Sequence, residues 1–180
     1  MASIDFPSPK RTAPAESRRP LYTPAERARR DRTVWTLVQG ILAPLQFLIC
    51  LVSLTLVLAY LSTGSGYAAA AASVVVKTFA LYAIMVTGSI WEKVVFGRWL
   101  FAPAFFWEDV VSMGVIALHT AYLVMLVAGI GTAGEQFAVA LAGYAAYAVN
   151  AAQFVLKLRA ARLQGGSGGQ GAPMRAEVPA

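Results

Sequence analysis

The residues that most often build metal and redox centres are almost missing from this chain of 180 residues, which has one cysteine, Cys50, and one histidine, His119. A single cysteine excludes an intramolecular disulfide. One Cys with one His excludes a zinc or iron–sulfur site of the usual kind within one chain. A dinuclear carboxylate centre would need more acids and paired histidines than the body of the chain offers. Charge is also scarce, at 13% of residues against about 25% in soluble domains. Between Val34 and Lys157 the only bases are Lys77, Lys93 and Arg98. No P-loop is present, and Ser112 lacks the framing of a nucleophile elbow.

What fills the chain instead is apolar, 58% of it, in four runs: Val34 to about Leu61, Ala70 to Trp91, Val110 to Ile130, and Phe137 to Lys157. Each has the roughly 20 residues that cross about 30 Å of hydrocarbon as a helix. The first is too long for a signal peptide and is expected to stay in the membrane, with Pro44 as a site for a kink. The expected fold is all-α, an integral membrane four-helix bundle. Residues 1–20, rich in Pro, Ser and Arg, read as a disordered tail, 21–164 as the membrane domain, and 165–180 as a flexible Gly-rich tail. The turns at Ser62–Tyr67 and Gly131–Gln136 carry no Lys or Arg, whereas the tails and the Trp91–Asp109 connection do. Positive-inside bias then places both termini and that connection in the cytoplasm.

Two motifs are settled by context. Gly129–Gly134 matches G-x-G-x-x-G, but it follows a membrane helix rather than a strand, so it reads as a tight loop. Thr23-Pro24-Ala25-Glu26 predicts a helix start with a capping box, and the basic turns after it suit an anionic membrane surface rather than nucleic acid.

The chemistry concentrates between Trp91 and His119. Seven of the 20 aromatic residues lie between Trp91 and Trp107, among Glu92, Glu108, Asp109, Lys93 and Arg98. Ionisable groups against apolar helices must be solvated, paired or used. Helical spacing puts Glu108, Ser112, Val115, His119 and Tyr122 on one face, with Glu108 and His119 about 16 Å apart along it. Thr78, Leu81, Met85, Gly88 and Glu92 align on the second span. Gln39, Gln46, Ser53 and Tyr60 align on the first, and Tyr147, Asn150 and Lys157 on the fourth. Gln46, Ser53 and Asn150 read as interhelical hydrogen-bonding groups. Lys77, near the outer end of its span, reads as a snorkelling anchor. Trp91, Trp99 and Trp107 suit an interfacial aromatic belt or the walls of a flat ligand. As plain interfacial pairs, Glu92 and Glu108 would bridge to Lys93 and Arg98, and a structural His119 would bond a partner such as Asn150.

The segments Leu37–Pro44, Ile90–Asp109, Val115–Leu123 and Val149–Gln164 resemble the vinyl bacteriochlorophyllide hydratase family, also called chlorophyllide a hydratase, of bacteriochlorophyll biosynthesis. The resemblance spans about Leu21 to Gln164. It implies addition of water to the 3-vinyl group of a Mg-chlorin, giving a 1-hydroxyethyl group, in the inner membrane of a bacterium. No cofactor is implied beyond the Mg of the substrate, and other bacteriochlorophyll-biosynthesis enzymes are implied as partners. The chemistry needs an acid for the terminal carbon and a base for water. Glu92, Glu108 and Asp109 are the candidates. His119 is a candidate axial ligand to the substrate Mg or a proton relay, and Arg98 and Lys93 are candidates to hold the substrate propionate. Trp99, Trp107 and Asn150 complete the expected binding set. The competing reading is a non-catalytic membrane scaffold that binds tetrapyrrole, or an assembly subunit of a photosynthetic complex.

Overall fold

The computed structural model describes residues 21–167, with side chains described through 162. The expected N-terminal tail and most of the Gly-rich tail lie outside that range. Five helices follow in order: α1 (Pro24–Arg32), α2 (Val34–Thr63), α3 (Tyr67–Phe96), α4 (Phe106–Ala128) and α5 (Ala133–Ser167). The last four are long and apolar enough to cross a membrane. Each overruns its expected bounds at one end or both, because helical hydrogen bonding continues into polar turns that hydropathy alone leaves out. Helix α5 reaches three residues into the Gly-rich stretch.

Helix α1 begins as its sequence predicts. The Thr23 hydroxyl accepts from the Glu26 backbone N–H while the Glu26 carboxylate accepts from the Thr23 N–H at 2.7 Å. Thr33, extended at φ −84° and ψ 137°, separates α1 from α2 and caps the second helix. Tyr22 is buried, stacked on Phe96, and the Arg30 guanidinium lies over its ring at 4.7 Å. Burial pushes the Tyr22 hydroxyl above its ordinary pKa, with Arg30 acting in the opposite sense. Arg29 donates to the Val95 carbonyl at 2.8 Å, so α1 is tied to the end of α3.

The bundle is two antiparallel hairpins. In the first, Gln39 donates to the Thr87 hydroxyl at 2.7 Å and Ser53 bonds Ser73 at 2.7 Å. In the second, Ser112 bonds Asn150 and Glu108 pairs with Lys157. The turn at Gly129–Gly134 is the α4–α5 connection, with Gly129 at φ 64° and Thr132 and Glu135 forming a second capping pair. The hairpins meet through Ser53 and Tyr144 (2.7 Å), Tyr82 and Thr120 (2.7 Å), and the packing of Tyr60 and Tyr67 on Phe137.

Lys77 departs from its expected role as an anchor. Helix α3 starts at Tyr67, so Lys77 lies about 15 Å along it, on the face shared by Val74, Thr78 and Leu81. Its side chain is fully buried and its Nζ stands 4.0 Å from the centre of the Tyr147 ring. Its depth along α3 and its interior facing together override snorkelling.

At Gly143, α5 lies close against the His119 side chain of α4. A Cβ there would lie 2.8 Å from His119 Cε1, whereas one on Gly114 would meet nothing within 4 Å. Gly143→Ala should therefore destabilise by about 1–3 kcal/mol through overpacking. Gly114→Ala should be neutral or stabilising by up to about 1 kcal/mol. Unfolding of both variants in mixed micelles would separate these outcomes, and equal midpoints would contradict the close approach.

Candidate active site

The site forms at the end of the bundle where α3 stops and α4 starts. Glu92 and Asp109 are buried at 5% and 3% exposure, and their carboxyl groups adjoin. Each also accepts one backbone hydrogen bond from the connecting loop. Phe101 N–H donates to Asp109 Oδ2 at 2.8 Å, and Ala102 N–H to Glu92 Oε2 at 3.1 Å. Phe101 holds a left-handed backbone, φ 58°, the only residue other than glycine among the described residues to do so. A conformation of that kind costs about 1–3 kcal/mol and persists where surroundings enforce it. Here it turns two successive amides toward two different carboxyl groups.

Glu108, one residue from Asp109, has a different commitment. Its Oε2 is 2.5 Å from Lys157 Nζ, which also donates to the Ala104 carbonyl and lies over the Phe105 ring. Asn150 Nδ2 donates to the Glu108 carbonyl at 2.8 Å and its Oδ1 accepts from Ser112. Asn150 is thus a linker between α4 and α5, as the sequence suggested. Beneath the loop, Phe105 packs between Tyr22, Trp91, Phe96 and Phe154 as an aromatic plug.

The simple interfacial pairings are overturned. Lys93 donates to the Gly97 carbonyl and lies 5.8 Å from the Trp99 ring centre, and Arg98 is exposed. Neither meets Glu92 or Glu108. His119 does not bond Asn150 either. Its Nδ1 lies 2.8 Å from the Val115 carbonyl, and its fully buried ring packs on Gly143 and Tyr144. It stands about 15 Å along α4 from Asp109. Gln46, expected to bond across helices, is buried with neither amide atom partnered. Trp99 and Trp107 are exposed on the outer surface at 59% and 68%.

An apolar groove of about 400 Å³ opens between α3 and α4, and its lining comes within one turn of Asp109 at Met113. Met85, Val86, Ser89 and Ile90 line it from α3, Met113 and Ile116 from α4, and Trp99 and Leu100 from the connecting loop. Among the described residues no three of His, Cys, Asp and Glu converge as a metal site. The loop amides of Phe101 and Ala102 and the partner of Glu108 escape sequence reasoning. Lys157 alone left a signal, as the only base at the end of the polar face of the fourth span.

The chain has counterparts in sequence. The profile of the 2-vinyl bacteriochlorophyllide hydratase family matches residues 22–160. The chain belongs to that family. A 2-vinyl bacteriochlorophyllide hydratase of Cereibacter sphaeroides is 68% identical over 152 residues, covering 84% of this chain and 94% of its own. One of Rhodobacter capsulatus is 65% identical over 151 residues, covering 84% and 88%. No solved structure matches. The hydratase reading of the sequence therefore stands, and the match takes in α1 and every residue of the candidate site.

Proposed function

We propose that this chain hydrates the vinyl group of a vinyl bacteriochlorophyllide, with Glu92 and Asp109 as its acid and base. The adjoining, buried carboxyl pair is the observation that carries the reading. One carboxyl gives its proton to the terminal vinyl carbon, which becomes a methyl group. The cation left beside the ring is delocalised into the macrocycle. Water attacks it, and the second carboxylate takes the proton that the water loses. The pair ends with one proton, as it began, so no co-reactant is needed.

Carboxyl groups out of water, side by side, suit an acid matched to a weak carbon base. The Phe101 and Ala102 amides fix both groups without consuming all their oxygen lone pairs. The macrocycle lies in the groove between α3 and α4, entering from lipid, with Trp99 across its face. Glu108 holds α4 to α5 through Lys157 and keeps the pair in place rather than reacting. His119 is too deep to share a ring with the pair, since about 15 Å exceeds the reach from the centre of a macrocycle to its vinyl group. Arg98, exposed at the same end, remains the candidate for the propionate. The charge distribution of the loops supports cytoplasmic termini in a bacterial inner membrane, with the product passing to later enzymes of bacteriochlorophyll biosynthesis.

Membranes containing the chain, incubated with chlorophyllide a, should yield pigment heavier by one water and with its red absorption band shifted to the blue. Pigment bound but unchanged would favour a scaffold. Met113→Trp should fill the groove and raise KM several-fold with little change in kcat. An unaltered KM would place the macrocycle elsewhere.

A further inference from the structure

The carboxyl site leaves a second polar group of residues unexplained in the middle of the bundle. Four fully or nearly fully buried side chains there carry polar atoms with no hydrogen-bond partner: Gln46, Lys77, His119 and Tyr122. They come from α2, α3 and α4. The pairing of Gln39 with Thr87 and Ser53 with Ser73 sets the register of the first hairpin and puts Gln46 opposite Ala80, one turn from Lys77. Ser53 joins the two hairpins beside them, bonding Ser73, one turn before Lys77, and Tyr144, whose ring centre lies 5.7 Å from that of His119. Tyr122 follows His119 on the next turn of the same face.

The hydrogen-bonding inventory of these atoms is specific. The Val115 carbonyl can only accept, so Nδ1 of the neutral His119 ring donates to it, and Nε2 presents a bare lone pair. Lys77 Nζ offers donors. The Gln46 amide offers both kinds, as does the Tyr122 hydroxyl. A simple anion would face the imidazole lone pair, and a cation would face the lysine. A small molecule that donates and accepts at once meets every group.

We propose that Lys77 and His119, flanked by Gln46 and Tyr122, form a water-binding site along the seam between the two hairpins, at mid-membrane. Buried water takes about three hydrogen bonds from otherwise unmatched polar groups, and such a cluster supplies them. One water accepts from Lys77 Nζ and donates to His119 Nε2; its neighbours bond Gln46 on one side and Tyr122 on the other. The site holds whether or not Glu92 and Asp109 are the catalytic pair.

Because the chain has one histidine, isotope labelling of histidine reports His119 alone. In the full chain reconstituted in lipid, water-edited solid-state NMR should give a His119 ring signal and a Lys77 Nζ signal that build up several-fold faster than the methyl groups of Val57 and Val74, which are equally buried. Build-up as slow as those methyls would overturn the proposal, with no variant required. Lys77→Met should then slow the His119 build-up several-fold. A His119 signal unchanged in Lys77→Met would also overturn the shared site. Should that variant not fold, His119→Gln, read at Lys77 Nζ, provides the same comparison, with retention of the wild-type build-up as the contrary result.

Discussion

Glu92→Gln and Asp109→Asn are each expected to cut turnover by about 10²–10⁴-fold, the usual worth of a positioned acid or base, while protein still accumulates in the membrane. Each amide keeps an oxygen to accept the loop N–H from Ala102 or Phe101, so the connection should hold its shape. What the amides lose is the exchangeable carboxyl proton. Glu108→Gln should cost less than either, because its oxygen is held by Lys157 and not by the pair. Pigment mass and absorption, followed in time on matched amounts of membrane protein, give the comparison. Near-normal rates in both Glu92→Gln and Asp109→Asn would remove the pair from the chemistry.

Lys157→Met should be the most destabilising single change at this end of the bundle. It removes a donor to the Ala104 carbonyl and leaves the Glu108 carboxylate, 5% exposed, with no cation. Breaking a buried pair from one side costs about 3–5 kcal/mol, and with Lys157 27% exposed this pair falls at the lower end of that range. Taking away both partners costs much less, because no charge is left stranded. The double variant Glu108→Leu with Lys157→Met should therefore recover much of the loss seen with Lys157→Met alone. Unfolding in mixed micelles of the wild type, Lys157→Met, Glu108→Leu and the double variant gives the comparison. Strict additivity of the two single changes would mean that the contact contributes nothing to folding.

The sequence disclosed the parts of this molecule that obey a periodicity. Helical spacing picked out Glu108, Ser112, Val115, His119 and Tyr122, and all five are buried on α4. The Thr23–Glu26 capping box was legible because both of its members are local. Lys77 was misjudged because its depth depends on where α3 begins, at Tyr67, and its facing on which residues α5 presents. Partners across helices were equally out of reach. Lys157 ends the polar face of its span, but its choice over Lys93 or Arg98 as the mate of Glu108 is made by how α5 lies against α4. The two loop amides depend on a left-handed Phe101, a conformation that no propensity of phenylalanine foretells.

Helices α2 and α3 have 30 residues each and run about 45 Å, against a hydrocarbon layer of about 30 Å. A tilt of about 20° absorbs only about 3 Å of the difference. The turn that joins them is short, Gly64–Gly66, and cannot carry the surplus on its side. With the turn at one membrane face, the surplus would stand out at the opposite end and hold the Glu92–Asp109 pair at the level of the headgroups. An amphiphilic pigment reaches that layer by lateral diffusion within one leaflet, a search in two dimensions, and its reacting edge meets interfacial water there without leaving the bilayer.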